Sequence, residues 1–127
     1  MDTSEELQSI LRELDDSLTG QIEGSLIASA DGFLVAHTLS DAEDAERIAA
    51  MVATTMGVSR RMAATLDAGD LNETSISASK RLVQLYLVGD RGALAVVAES
   101  GSNIALINIK AREQVGAAKK ALKVAVA

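Results

Sequence analysis

The stretch that decides the fold lies at residues 24–36 and reads Gly24-Ser-Leu-Ile-Ala-Ser-Ala-Asp-Gly-Phe-Leu-Val-Ala36. Two apolar runs flank the pair Asp31-Gly32. This pair favours a tight turn with positive φ angles. The pattern therefore predicts a β-hairpin with strands at residues 22–29 and 33–38.

Two segments on either side of the hairpin have the apolar spacing of amphipathic helices. In each, a capping box is predicted to satisfy free N–H groups at the start, and a glycine is predicted to end the helix. The first segment is residues 3–19, with its capping box at Thr3 and Glu6 and its stop at Gly20; the second is residues 41–67, with its box at Ser40 and Glu43 and its stop at Gly69.

Three strands and a last helix are predicted from the rest of the chain. Residues 71–79 alternate serines with larger residues, which indicates a half-exposed strand, whereas residues 82–88 and 93–98 are more uniformly apolar and should lie centrally. The last helix is predicted from Asn103 to about residue 124. The order helix-strand-strand-helix-strand-strand-strand-helix predicts an α+β fold. Its five-stranded, mostly antiparallel sheet carries three helices in an α/β/α arrangement.

Composition limits what the chain can be. Its 127 residues are enough for one domain, residues 1–127, and 48% of them are hydrophobic. It has no Cys and one His, which excludes disulfides, a Cys nucleophile and a multi-histidine metal site. No apolar run approaches the roughly 18 residues of a membrane span, and the acidic start lacks the basic region of a signal peptide. We expect a cytoplasmic protein with no cofactor and no membrane insertion.

Charge is unevenly distributed along the chain. Residues 1–79 carry 15 acidic and 4 basic residues, and residues 80–127 carry 3 and 8. A basic segment can mark a nucleic-acid surface. The basic residues here are scattered and lack aromatic stacking partners, and the whole chain has a net charge of −6. We therefore expect no nucleic-acid partner.

The helix at residues 41–67 is apolar on more than one side. One stripe, from Ile48 through Val52 to Leu66, is predicted to pack on the sheet. A helix with a second apolar stripe is usually buried on a second side, which favours a partner helix from another copy of the chain. The strand at residues 71–79 is a second candidate, because an edge strand can pair across a two-fold axis. The predicted dimer and partner interface is Ala45, Ala49, Ala53, Met56, Arg60, Ala63 and Ile76. The alternative is that alanine is only a good helix former on a solvated face.

The hairpin sequence resembles the motif of the roadblock (dynein light-chain) family: Gly, apolar residues, a small-polar pair, Asp-Gly, apolar residues, Ala. Asn103-Ile-Ala-Leu-Ile is similar to that family's Asn-Leu-Gly-Leu-Val entry to its last helix. The element order matches over essentially the whole chain, and the single-domain prokaryotic branch, the MglB type, is the most similar. The resemblance implies a homodimer with a continuous sheet and adjacent second helices.

The resemblance also implies a function. Family members act as scaffolds, as dynein light chains or as regulators of Ras-like small GTPases. In the MglB type the second helices dock the GTPase, which supplies the catalytic residues. We expect a homodimeric adaptor or regulator that binds a Ras-like small GTPase and is not itself an enzyme. Two alternatives stay open: a structural scaffold or light-chain-type subunit without effect on GTP turnover, and a small-molecule sensor of the profilin-like type.

Single candidate residues give weaker signals. His37 has no inferable catalytic or metal partners, so a structural or solvated histidine is favoured. The sequence has no Gly-x-x-x-x-Gly-Lys-Ser/Thr phosphate loop, so the chain is not predicted to be the GTPase. Arg60 and Arg61 could act as an arginine finger, but adjacent helical arginines are usually solvated or ion-paired.

Overall fold

The computed structural model describes residues 2–126, with side chains described through Leu122; Met1 and Ala127 lie outside the described residues. The predicted fold class is confirmed: three helices and five antiparallel strands follow in the predicted order. The elements are α1 (Thr3–Ser17), β1 (Ile22–Ser29), β2 (Leu34–His37), α2 (Ala42–Thr65), β3 (Glu73–Ser77), β4 (Arg81–Val88), β5 (Gly92–Glu99) and α3 (Ile104–Val126).

The five strands form one sheet in the order β2-β1-β5-β4-β3, and every neighbouring pair is antiparallel. The two most apolar strands, β4 and β5, lie inside the sheet as predicted. The serine-rich strand β3 lies at one edge and pairs on one side only, with β4. The tight turn of the hairpin contains Gly32, whose φ of 91° is in the region that favours glycine.

The capping residues of α1 and α2 each differ from the sequence prediction by one position. Asp2, not Thr3, caps α1 and accepts a hydrogen bond from the backbone N–H of Glu5 at 2.8 Å. Asp41, not Ser40, caps α2 and accepts from two backbone N–H groups, those of Glu43 and Asp44. Asp is as good an N-cap as Ser or Thr, so two adjacent capping residues leave the boundary undecided in the sequence.

The predicted helix stops were also too late. Helix α1 ends at Ser17 and α2 at Thr65, several residues before the glycines that were expected to end them. After α2 the chain already turns at Asp67, which adopts a left-handed φ of 52°. Asp tolerates this conformation better than most residues other than glycine. Gly69, with a φ of 90°, lies in the loop beyond the helix.

The two faces of the sheet are covered differently. Helices α1 and α3 pack on one face and enclose a core of large side chains that includes Leu7, Leu11, Leu14 and Ile107. Helix α2 lies alone on the other face. It packs mainly on β1, β2 and β5 and only lightly on β4. This face therefore has an incompletely covered side next to β4 and the edge strand β3.

Candidate interaction surface

The small-residue stripe of α2 faces the chain's own sheet. Ala45, Ala49 and Met56 are buried within the chain, with relative exposures of 0%, 0% and 3%. Ala49 and Met56 pack with Val52 against alanines and leucines of β1, β4 and β5. The prediction that these three side chains face a partner is therefore corrected. Small side chains on the helix and on the strands let the helix lie close to the sheet.

A second set of large apolar residues, in α2 and directly after it, is exposed to solvent. Met51, Val58, Met62 and Leu66 have relative exposures of 58%, 53%, 59% and 70%. Their spacings of seven, four and four residues place them on one stripe of the helix. Met62 and Leu66 were predicted to pack on the sheet, and their exposure corrects that assignment. Monomeric proteins rarely expose an apolar stripe of this kind without a partner.

The edge strand β3 presents its one large apolar side chain on the same side of the sheet. Ile76 pairs with Val83 of β4, and cross-strand partners lie on the same face. Val83 packs with the α2 core, so Ile76 also faces the α2 side, where it is 43% exposed. The "α2–β3 surface" is defined here as Met51, Val58, Met62, Leu66 and Ile76.

The opposite side of β3 is bound to helix α3. The Arg112 guanidinium of α3 donates a hydrogen bond of 2.7 Å to the Glu73 carboxylate of β3. This bond and the Glu73 charge raise the pKa of Arg112, so the contact is an ion pair. The ion pair fixes one end of the edge strand and leaves its outer backbone groups free to pair.

The remaining members of the predicted interface are scattered. Ala53 and Ala63 are half-buried on α2. Arg60 is exposed, but its guanidinium donates to the Asp90 carboxylate in the β4–β5 turn at 3.4 Å. Arg61 instead borders an open apolar cleft formed with Val58, Met62, Thr65 and Leu66. Of the two arginines, Arg61 is therefore the one within the exposed apolar stripe.

Residue size alone does not separate the two sides of α2, because Val52 and Met56 are buried on the sheet beside the alanines. The stripe that packs on the sheet is built on Ala45 and Ala49, and the exposed stripe carries Met51, Val58, Met62 and Leu66. The stripe predicted to pack on the sheet is confirmed for Val52 and Ile48, and it is wrong for Met62 and Leu66, which are exposed. The expectation had been that large side chains fill the core and alanines form a helix–helix contact.

A small cavity separates α2 from the end of the sheet. It has a volume of about 90 Å³ and is lined in part by Ala53, Gly57, Arg60 and Ala93. Pockets for drug-sized ligands are roughly 300–1,000 Å³, so this cavity is too small for such a ligand.

His37 is half-buried near the end of β2, and its Nδ1 is buried without a hydrogen-bond partner.

No three His, Cys, Asp or Glu side chains in the described part come together as a metal site would require. None of the described helices is long and apolar enough to cross a membrane.

The fold defines a class of small domain with helices on both faces of an antiparallel sheet, and comparison with known proteins identifies the family. Residues 9–98 match the model of the Roadblock/LC7 domain. An uncharacterized protein of Methanocaldococcus jannaschii is 31% identical over 103 residues, which cover 81% of this chain and 88% of the relative. The chain therefore belongs to the Roadblock/LC7 family.

Solved structures have the same fold. Myxococcus xanthus MglB superposes with a TM-score of 0.84 at 12% identity, covering 95% of this chain and 90% of that one. An MglB described as having a tetrameric arrangement gives a TM-score of 0.86 at 15% identity, covering 97% and 92%. The resemblance stated from the hairpin motif is thus confirmed at the level of family and fold.

Proposed function

We propose that this chain forms a homodimer through the α2–β3 surface, and that the dimer binds a Ras-like small GTPase and modulates its nucleotide cycle or location. The single observation that carries the proposal is the exposed apolar stripe of α2 beside an edge strand that pairs on one side only. We further propose that the chain acts in the cytoplasm as a regulator without catalytic residues of its own.

The dimer follows from what the open face lacks. Helix α2 leaves the β3–β4 side of the sheet incompletely covered, and a second α2 placed beside it would bury Met62, Val58 and Ile76. Pairing of two β3 strands across the same axis would satisfy the free backbone groups of both edges. A two-fold contact of this kind uses one surface twice and therefore closes on itself.

The GTPase role is supported by the family rather than by any single residue. The chain belongs to a family in which single-domain members regulate small GTPases, and MglB has the same fold. The sequence contains no phosphate loop, so nucleotide chemistry would remain with the partner. Arg61 would supply a cation within the apolar stripe, where it can pair with an acidic residue of the GTPase.

The dimer is tested by Met62→Glu and Ile76→Glu. Each variant places a charge in the proposed contact, and we expect both to shift the protein toward the monomer mass in light scattering. Ile104→Glu is the matched control, because Ile104 is 47% exposed at the start of α3, away from the α2–β3 surface. Wild-type mass in both surface variants would contradict the proposed interface.

The GTPase role is tested by a pull-down and by GTP hydrolysis of the Ras-like GTPase from the same genome, with and without this protein. Binding with a changed hydrolysis rate that Met62→Glu abolishes and Ile104→Glu preserves would support the regulator. Binding without a changed rate, followed by an unchanged nucleotide-exchange rate, would favour the scaffold. No binding to any such GTPase would contradict the proposed partner class.

A further inference from the structure

The face of the molecule formed by helices α1 and α3 carries a distinct pattern of charges. The exposed side of α1 bears the acids Glu5, Glu6, Glu13 and Asp16, with Arg12 as its one base. Within residues 104–122 the exposed side of α3 bears bases, with Glu113 as its one acid. The "helical layer" is defined here as these two exposed sides. Each helix has the opposite sign to its neighbour and contains one exception.

Helices α1 and α3 run antiparallel. Each residue of α1 therefore lies at the same height along the helix direction as a residue of α3, and such residues are called level here. At one end, Gln21 after α1 contacts Ser102 and Asn103 before α3, with hydrogen bonds of 2.9 and 3.0 Å. At the other end, Thr3 and Ser4 line the same cleft as Leu122. Because both helices rise by the same amount per residue, the levels between these ends follow by counting.

Counting along both helices brings the charges into register. Glu5 is level with Lys120, and Arg12 is level with Glu113. The single base of α1 therefore lies at the height of the single acid of α3. Between these pairs Ser9 is level with Gly116, and both positions are exposed. Small residues at this height allow two helices to approach closely.

The charged groups in register make no ion pairs within one molecule. No ion pair between α1 and α3 occurs among the side chains of residues 2–122, and the ion pairs found there all involve other elements. Neighbouring helices in one layer point these side chains outward rather than at each other. Arg112 pairs with Glu73 of β3, but the pairs in register, Glu5 with Lys120 and Arg12 with Glu113, are unmatched in the single chain and complementary to those of a copy.

We propose that the helical layer is a second self-association surface, on which α1 of one copy packs antiparallel against α3 of another. A two-fold axis parallel to the helices produces this arrangement and preserves the levels. Glu5 then faces Lys120 of the other copy, Arg12 faces its Glu113, and Ser9 faces its Gly116. The two-fold axis repeats every contact, so each copy contributes its α1 to one half of the interface and its α3 to the other half.

The contact is weak and depends on salt. Exposed ion pairs are individually small, and salt screens them over about 10 Å at 0.1 M ionic strength. The helical layer lies on the opposite face of the sheet from the α2–β3 surface, so both contacts can form at once. Dimers made by the open face would thus be joined into tetramers or longer assemblies.

The test exchanges the charges on one helix at a time. Variant A carries Glu5→Lys with Arg12→Glu, and variant B carries Glu113→Lys with Lys120→Glu. Neither changes the net charge. For the wild type, light scattering at low salt should give twice the mass found after salt is raised to about 0.5 M. We expect A and B each to lose this doubling. An equimolar mixture of A and B should restore it, because each reversed helix then meets its reversed partner.

The variant with all four substitutions is the matched control, since it carries every change and should associate like the wild type. The same series in the Met62→Glu background separates this contact from the proposed dimer: doubling should persist there, from monomer to dimer. A salt-independent wild-type mass, or unchanged doubling in A and B, would overturn the proposal. An equimolar mixture of A and B that stays dissociated would also overturn the proposal, because the charges would then act within one chain and not between copies.

Discussion

The two faces of the sheet are formed by the same strands, but they are covered by different numbers of helices and by side chains of different size. On the closed face, two helices enclose Leu7, Leu11, Leu14 and other large side chains, together with Gln84 and Tyr86, which both donate to Asn108 of α3. On the open face one helix lies on alanines. Met51, Met62 and Leu66 stay exposed, whereas Met56 is buried against the sheet.

The difference shows where stability and association are located. The closed face buries its large apolar side chains within one chain, so its contribution to folding does not depend on a second copy. The open face buries little area at each alanine and leaves Met51, Met62 and Leu66 exposed for a second surface. Substitutions on the two faces should therefore separate folding from association.

The largest effect is expected from a charge placed under α2. Ala49→Glu would bury an unpaired carboxylate at a position with 0% exposure, and we expect a loss of about 5 kcal/mol or more in unfolding free energy. Ala50→Glu is the matched control, because Ala50 is exposed on the same helix. Urea unfolding of both variants is the measurement. Equal stability of the two would mean that α2 does not lie on the sheet by its small-residue stripe.

A cavity on the closed face comes next. Leu11→Ala removes a fully buried side chain and should lower the unfolding free energy by about 2–5 kcal/mol at any protein concentration. Met62→Ala removes an exposed side chain of α2 and should change mainly the concentration dependence of unfolding. A large concentration-independent loss in Met62→Ala would remove the distinction between the two faces.

Alkaline pH tests the polar part of the closed face. Burial raises the pKa of Tyr86 from 10.0 to about 12. The folded state therefore holds the phenolic proton more tightly than the unfolded state, and this stability is present below pH 10 and is lost as the pH rises toward 12. The loss should approach about 1.4 kcal/mol per pH unit within that window.

Tyr86 is the only tyrosine of the chain, so its ionisation can be followed by ultraviolet absorbance without overlap. The folded protein should titrate near pH 12 and the urea-unfolded protein near pH 10. Tyr86→Phe should abolish the signal. A midpoint near 10 in the folded protein would indicate that the closed face admits water at this side chain.

Most of the fold could be predicted from local signals. Asp31-Gly32, the helical spacings and the apolar runs of β4 and β5 each depend on nearby residues only. The helix starts were less certain, because Asp2 precedes Thr3 and Asp41 follows Ser40, and either neighbour of each pair can cap. These errors moved the capping residues by one position and left the order of elements unchanged.

The orientation of α2 could not be predicted in the same way. Its small stripe and its large stripe lie side by side, and both are apolar enough to face a sheet. The choice depends on the residues beneath: Ala28, Ala93 and Ala95 on the strands favour a close approach by Ala49. That match joins parts of the chain that are distant in sequence, so no local pattern contains it.

The smallest effects are expected from substitution of the two adjacent arginines. One is expected to contribute to stability and the other to binding of the GTPase. Arg60 pairs with Asp90 at 3.4 Å in an exposed setting, and Arg60→Ala should lower the unfolding free energy by less than about 1 kcal/mol. A double-mutant cycle with Asp90→Ala would isolate that pair. Arg61→Ala should leave unfolding unchanged and weaken binding of the GTPase, since Arg61 lies within the exposed stripe. If Arg60→Ala weakened binding and Arg61→Ala did not, the partner would contact the side of α2 next to the β4–β5 turn rather than the α2–β3 surface.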